Sequence, residues 1–312
     1  MALASERARV YLSAFNPYHE EIIVRELTGR TALITGASRG LGITIARALA
    51  NEGMNLVLAA RTLENLEALA GELTHEGVEA LPVATDVTDQ RALESLVAAA
   101  DVKFGGIDVL VNNAGTLVLF PFHRLGIADM ERAIRLNLTS AMILTRLVLP
   151  GMLTRGRGHI VNMSSIAGIW GPPFDQVYAV TKAGLIGFTE SLRAEYHATG
   201  VSASVICPGY VEEAGMYAVG REMMDAVAPA WVGRTRPRPV ARAVVKAIRK
   251  DRPEIIVNTP PARLATVVTA MSPSLAQWAM RRFGGWAPFV RGAQVNLQTR
   301  GQVTGLTGSP SD

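Results

Sequence analysis

Short apolar runs alternate with amphipathic stretches along most of this chain. From Thr31 the run TALIT, rich in β-branched residues, leads into the glycine-rich GASRGLG, and ITIARALANEG then carries a helical period and closes on Gly53. NLVLAA reads as a second buried strand, TLENLEALAGELTHEG as a helix ending at Gly77, and VEALPVATD as a third strand. DQRALESLVAAADVKFG predicts a third helix, IDVLVNNAG a fourth strand, and Ala128–Thr154 one long helix. HIVNMSS, VSASVICP and EIIVN complete the strands, separated by helices over Val177–Thr199 and VARAVVKAIRK. Alternation at this spacing predicts βαβ units: an α/β architecture, doubly wound, with a seven-stranded parallel sheet and helices on both faces.

The flanks are different. Residues 1–28 form a mixed polar arm, helical around Glu20–Leu27, that reads as a packing or oligomer arm. The main domain is expected over 29–258, with a lid at 210–236, followed by an extension over 259–312. In that extension Pro273 predicts two short helices, and the last dozen residues, rich in Gly, Thr and Ser, are expected to be disordered.

Composition narrows the function. Hydrophobic residues make up 49% of the 312, enough for a sizeable core. Cys207 is the only cysteine, which excludes an intrachain disulfide and fits a reducing, cytoplasmic setting. The five histidines show no metal-ligand spacing, and no metal is expected. No signal peptide or run of about eighteen apolar residues is evident. Basic residues concentrate late: Arg234–Arg252 holds eight Lys/Arg against Asp251, and the stretch from Thr259 holds five Arg against Asp312. Without interleaved aromatics this suits anionic surfaces better than nucleic acid.

Chemistry enters at Tyr178 and Lys182, four residues apart and therefore on one helix face. A free phenol titrates near ~10. An ammonium at ~4 Å, in an effective dielectric of ~20, favours the phenolate by roughly 4 kcal/mol. This predicts a phenol lowered by about two to three units. Alone, such a pair is an ordinary exposed face; downstream of a glycine-rich strand–turn–helix it reads as a proton-transfer pair.

In the turn Thr35–Gly42, Gly36 permits the bend, Gly40 lets the main chain approach a pyrophosphate, and Gly42 allows close helix–sheet packing. TGASRGLG, NNAG at Asn112–Gly115, Asn137, Ser165, YAVTK at Tyr178–Lys182 and PG at Pro208–Gly209, in this order, resemble the short-chain dehydrogenase/reductase family from about Arg30 to Asn258. Ser165 stands thirteen residues before Tyr178, as in that family.

The resemblance implies a Rossmann-like domain and a reversible carbonyl–alcohol oxidoreductase. Tyr178 would exchange the proton, Lys182 would tune it and hold the nicotinamide ribose, Ser165 would bond the oxyanion, and Asn137 would hold a water beside Lys182. The alternative for Asn137 is a mid-helix Asn bonded to backbone. Ser38, Leu41, Thr62, Pro208 and Gly209 join the implied cofactor site. Asp86 and Val87 would flank the adenine, Asn113, Ala114 and Gly115 the ribose, and Val211 the carboxamide. The second strand ends in Ala60-Arg61-Thr62 rather than an acid, and Arg39 lies in the glycine turn. Two guanidinium groups there suit a 2′-phosphate, hence NADP(H). One departure is Glu213, where the family usually has threonine; it is either a solvated loop residue or an acid that favours the oxidised nicotinamide.

Leu117, Leu119, Phe120, Phe122, Trp170, Phe174, Met216, Tyr217, Met223, Met224 and Trp231 suggest apolar walls for a bulky ketone or alcohol such as a steroid, lipid or terpenoid. Plain core packing accounts for some of them. A 3-oxoacyl thioester is the same-fold alternative, and a non-catalytic NADP(H) sensor the different-class one. A homodimer or homotetramer through the long helices is implied by resemblance. The extension either lies in a membrane interface as a peripheral contact, covers the substrate cleft, or forms a subunit boundary.

Overall fold

The computed structural model describes residues 26–213, 233–259 and 263–306. Seven parallel strands form one sheet in the order β3-β2-β1-β4-β5-β6-β9. They are β1 (Thr31–Thr35), β2 (Asn55–Ala60), β3 (Ala80–Ala84), β4 (Val109–Asn112), β5 (Gly158–Met163), β6 (Val201–Pro208) and β9 (Glu254–Val257). Strands covered on both faces must be apolar at successive positions, which is why TALIT and NLVLAA are continuous rather than alternating. Leu33 and Val57 enter the core on one side of the sheet, while Ile34 and Leu58 enter the core on the other.

Helices α1 (Leu41–Ala50), α2 (Leu63–His75) and α3 (Gln90–Phe104) make the first crossovers. The strand order reverses between β1 and β4, so the carboxyl ends of these two strands open a crevice at the switch point. The expected long helix after β4 is present over Ile127–Arg155, as α4 (Ile127–Ile134) and α5 (Ser140–Arg155) running continuously through a π-helical turn at Arg135–Thr139. By length and composition the span Ile127–Arg155 would suffice to cross a membrane. In the fold its residues Leu144, Val148, Leu149 and Met152 are core.

After β5 come the short α6 (Ala167–Trp170) and the long α7 (Gln176–Glu195). A small two-stranded sheet pairs β7 (Tyr210–Val211) with β8 (Arg234–Thr235), so the two ends of the expected lid meet. Its middle, with Met216, Tyr217, Met223, Met224 and Trp231, lies outside the described residues, as does most of the N-terminal arm. Helix α8 (Pro237–Lys250) packs on α1.

The extension holds three helices rather than two: α9 (Arg263–Met271), α10 (Pro273–Arg282) and α11 (Ala287–Leu306). Pro273 does split the first pair, and the Ser272 hydroxyl caps α10 by accepting from the Leu275 N–H at 3.4 Å. Helix α11 runs to Leu306, into the stretch expected to be disordered.

One buried histidine links β5 to β6. Ser204 donates to the Arg252 carbonyl (2.6 Å), so its oxygen accepts from Nε2–H of His159 (2.8 Å). Nδ1 is left bare and buried. Burial holds this imidazole down, to about 4. A group depressed in the folded state is protonated first in the unfolded chain, so stability falls as pH drops from about 6.5 towards 4. His159→Gln is expected to remove roughly 2 kcal/mol of that pH dependence. Urea midpoints at pH 7 and 4.5 for both proteins check this; identical slopes would contradict it.

Candidate active site

At the carboxyl end of β1 the chain turns sharply, with Gly36 at φ +67° and Gly40 at φ +59°. The Thr35 hydroxyl accepts from the main-chain N–H of Asn113 (3.0 Å) and of Ala114 (3.1 Å), which latches β4 to the turn. The Asn113 amide donates to the Thr35 carbonyl at 2.9 Å. Asn113 thus holds the glycine turn in place through its side chain. A Cβ on Gly42 would stand 2.1 Å from the Gly36 carbonyl oxygen and 2.8 Å from Ala37 Cα. Its bareness lets α1 press on the turn itself, not on the sheet as expected.

Helix α1 begins at Gly40 with no side-chain cap and no acid in its first turn, so its leading N–H groups and positive dipole end face the crevice. Arg39, Arg61 and Thr62 are exposed beside it, while Ser38 and Leu41 are half-buried. Asp86 accepts from the Thr88 N–H (2.9 Å) and hydroxyl (2.7 Å), which hold its carboxyl low, with a smaller pull from Arg61. Val87 is buried in the core, so only its main chain can border a ligand. An uncapped helix start, a turn with no room for Cβ atoms and two exposed guanidinium groups fit a dinucleotide with an extra phosphate.

The second half of the site joins β5 to α7. Ser165 follows β5, and its oxygen accepts from the Ala167 N–H at 3.1 Å. Its 3.5 Å approach to the Pro208 carbonyl is at the limit for a hydrogen bond. Tyr178 and Lys182 share a face of α7, with Nζ 5.4 Å from the centre of the phenol ring. Nζ donates to the Met163 carbonyl at 2.6 Å, while the Ser164 hydroxyl donates to the Lys182 carbonyl at 2.7 Å. Gly168 permits this closeness, because a Cβ there would lie 2.7 Å from the carbonyl carbon of Lys182.

Asn137 sits on the π-turn and is buried. Its Oδ1 accepts from the Thr116 N–H (2.7 Å) and its Nδ2 donates to the Thr116 carbonyl (2.8 Å) and the Thr181 hydroxyl (3.2 Å). The side chain therefore bonds to backbone, but of the neighbouring loop rather than of its own helix. It pins Thr116, and so Gly115, against α7. A Cβ on Gly115 would be 3.7 Å from Lys182 Nζ. Ser165, Tyr178, Lys182, Asn137 and Gly115 converge.

The expected fall in the phenol's pKa does not occur. Tyr178 is 9% exposed and Lys182 3%. Burial raises Tyr178 well above its ordinary value, Asp175 adds to the rise, and the Ser165 hydroxyl, hydrogen-bonded to the phenol, opposes it. Lys182 is lowered to about 8, again chiefly by burial. Removing water from both groups is the largest cause of both shifts.

Around this centre Val211 is buried, and Pro208 ends β6 with Gly209 next to it. A Cβ on Gly209 would press on the Asn258 side chain at 2.2 Å. Glu212 pairs with Arg234 at 2.8 Å. Glu213 is 64% exposed and 3.5 Å from Arg236, in line with a solvated loop residue. Leu119 and Phe120 are buried, Leu117, Trp170 and Phe174 half-buried, and Phe122 is exposed. The extension reaches this side of the molecule: Asn296 donates to the Leu119 carbonyl at 2.9 Å, and the Phe289 and Tyr210 rings lie 5.9 Å apart.

Two residues here escaped the sequence reading. Gly168 was hidden in the ordinary-looking IAGIW. Asp175, at the start of α7, is fully buried, and neither carboxyl oxygen has a hydrogen-bond partner. Its position three residues before Tyr178 was the available signal.

Comparison with known proteins gives the same picture. The short chain dehydrogenase family matches residues 30–225. The ketoacyl reductase HetN of Nostoc sp. is 42% identical over 263 residues, covering 83% of this chain and 90% of that protein. That stretch exceeds Arg30–Asn258, so part of the flanking sequence is aligned too. Among solved structures, an actinorhodin polyketide ketoreductase variant with NADPH is 34% identical at a TM-score of 0.69, covering 73% of this chain and 95% of that one. A metagenomic short-chain oxidoreductase in complex with NADP is 32% identical at a TM-score of 0.63, over 74% and 98% of the two chains.

Truncating Asn137 to Ala would strand the Thr116 main-chain groups, and a loss of about 2–3 kcal/mol in stability is expected. Urea unfolding measures it; a change under about 0.5 kcal/mol, the scale of a neutral surface substitution, would show that Asn137 is not a structural pin.

Proposed function

The chain belongs to the short-chain dehydrogenase family, and we propose that within it this protein is an NADP(H)-dependent reductase of apolar ketones. The observation that carries this reading is the burial of the Tyr178 phenol on one face of α7 with Lys182, in hydrogen-bond contact with Ser165. Bound NADPH supplies hydride to the carbonyl carbon. Ser165 donates a hydrogen bond to the substrate oxygen, and Tyr178 gives that oxygen its proton as negative charge gathers there. An alkoxide is a far stronger base than a phenolate, so a phenol with a raised pKa still serves as acid. Lys182, mostly cationic at pH 7 with its pKa near 8, steadies the phenolate left behind until it recovers a proton from water.

Arg39 and Arg61 take the 2′-phosphate in this reading, and the α1 turn takes the pyrophosphate. The buried Leu119 and Phe120 support an apolar substrate. The names of the ketoacyl and polyketide relatives favour a ketone on an acyl chain, including the thioester form. A sensor without chemistry would need none of Ser165, Tyr178 and Lys182. A dimer or tetramer through the long helices is supported by the exposed Met142 on α5 and Val180 on α7.

Tyr178→Phe is expected to lower kcat for NADPH-dependent ketone reduction by about a hundredfold or more while NADPH still binds. Arg61→Ala should weaken NADPH by about tenfold and leave NADH nearly unchanged. Steady-state kinetics over acyl ketones and thioesters decides; equal turnover by Tyr178→Phe would overturn the mechanism. For the oligomer, Val180→Glu is expected to release smaller species in sedimentation velocity, and an unchanged profile would contradict the α5–α7 interface.

A further inference from the structure

Helix α11 turns one face inward. Phe289, Gly292, Ala293 and Asn296 recur at the i, i+3, i+4 and i+7 spacing of a single helix face. Gly292 and Ala293 are buried, Phe289 and Asn296 are half-buried at either end, and Gln294 and Gln298 are exposed. Small residues in the middle of that face let the helix backbone lie close to the body. The two larger side chains, about 10 Å apart along the axis, reach different loops.

Those loops follow adjacent strands. β4, β5 and β6 lie side by side and parallel, so their carboxyl ends share one edge of the sheet. Asn296 donates to the carbonyl of Leu119, in the loop after β4, at 2.9 Å. The Phe289 ring lies 5.9 Å from that of Tyr210, in the segment after β6, a usual separation for an aromatic pair. Trp286, just ahead of α11, meets Phe289 edge-on at 6.1 Å. The loop after β5 is tied in through Phe120, whose N–H donates to the Phe174 carbonyl at 2.9 Å. Directly or through one further bond, α11 joins all three loops.

Each of them borders a reacting group. Phe174 stands four residues before Tyr178. Two residues before Tyr210, the Pro208 carbonyl accepts from the N–H of Ile166, next to Ser165, at 3.0 Å. We propose that α11 is a brace that fixes the apolar walls of the substrate cleft, with Asn296 and Phe289 as positioning residues that set a preference for bulky ketones. The inference rests on the reductase reading and adds what selects substrate size. Walls held in place before binding spare a large apolar ketone the cost of ordering them. A small ketone, gripped at its oxygen by Ser165 and Tyr178, gains little from those walls.

Hydrogen exchange of the full chain, read by mass spectrometry, tests the brace without any turnover. Asn296→Asp keeps the shape but loses the donor once ionised, and Phe289→Ala removes the ring. Each is expected to speed exchange at the Phe120 amide by about tenfold while the Thr35–Gly42 turn keeps its wild-type rate. For Phe289→Ala that effect must cross two turns of α11. Phe289→Tyr, which retains the ring, should exchange as the wild type does. Unchanged exchange at Phe120 in both variants, or equal acceleration along the whole chain, would overturn the brace. Steady-state reduction of methyl octyl ketone and methyl ethyl ketone by NADPH then reads selectivity. Both variants should raise KM for the octyl ketone by about tenfold and leave its kcat, and the KM for the ethyl ketone, nearly unchanged. Equal losses on the two ketones, or a fall in kcat, would contradict the specificity role. If exchange responds as expected and the wild type reduces neither ketone, the reductase reading fails while the brace stands.

Discussion

Lys182 reaching back to the Met163 carbonyl is the contact on which the site depends. It joins the last residue of β5 to the second turn of α7, and it does so in a place sealed from water. The reciprocal bond from Ser164 to the Lys182 carbonyl closes a loop of two hydrogen bonds between strand end and helix. Gly168 lets α6 lie directly on the same stretch of backbone. Tyr178, one turn earlier on the same face, has its position fixed by this joint. A side chain at position 168, or a shorter one at 182, would move the phenol before it altered any chemistry.

The rest of the fold brings a second element to that joint. Parallel β1 and β4 end together at the point where strand order reverses, and the Thr35 hydroxyl ties them through two main-chain N–H groups. From there the chain runs through Gly115 to Thr116, which Asn137 clasps from the π-turn. The π-turn in the long helix carries Asn137, whose amide bonds to Thr116 and Thr181 rather than to its own helix. One chain of contacts thus runs from the α1 turn to Lys182, so the ends of β1 and β5 are positioned by a shared network.

Much of this was legible beforehand because it depends on periodicity and on backbone freedom. Continuous apolar runs fixed the strands, and Gly36, Gly40 and Gly42 marked a turn where larger residues do not fit. Spacing alone put Tyr178 above Lys182. What spacing does not carry is solvent. The Coulomb estimate set an ammonium near ~4 Å from the phenol oxygen in a dielectric of ~20. Desolvation of two groups buried by the packing of α6 and β6 is a tertiary property, and it reversed the sign for Tyr178. Asp175 carried only its place three residues before Tyr178 as a signal, and its burial is tertiary too, as a carboxylate at a helix start normally faces water. Glu213 went the other way: proximity to the site in sequence did not bring its side chain inward. The extension's place over the substrate loops depended on Asn296 and Phe289, residues without any motif.

A phenol raised by burial and a neighbouring amine lowered by it form a pair that keeps its proton until charge develops on a bound oxygen. Ultraviolet difference titration of the free protein against Tyr178→Phe isolates this one phenol among the six tyrosines. Burial predicts that the Tyr178 phenolate signal stays absent through the ordinary phenol range near pH ~10 and appears only above it. Half-ionisation of Tyr178 near pH 7 to 8, the range a dominant ammonium would set, would contradict it.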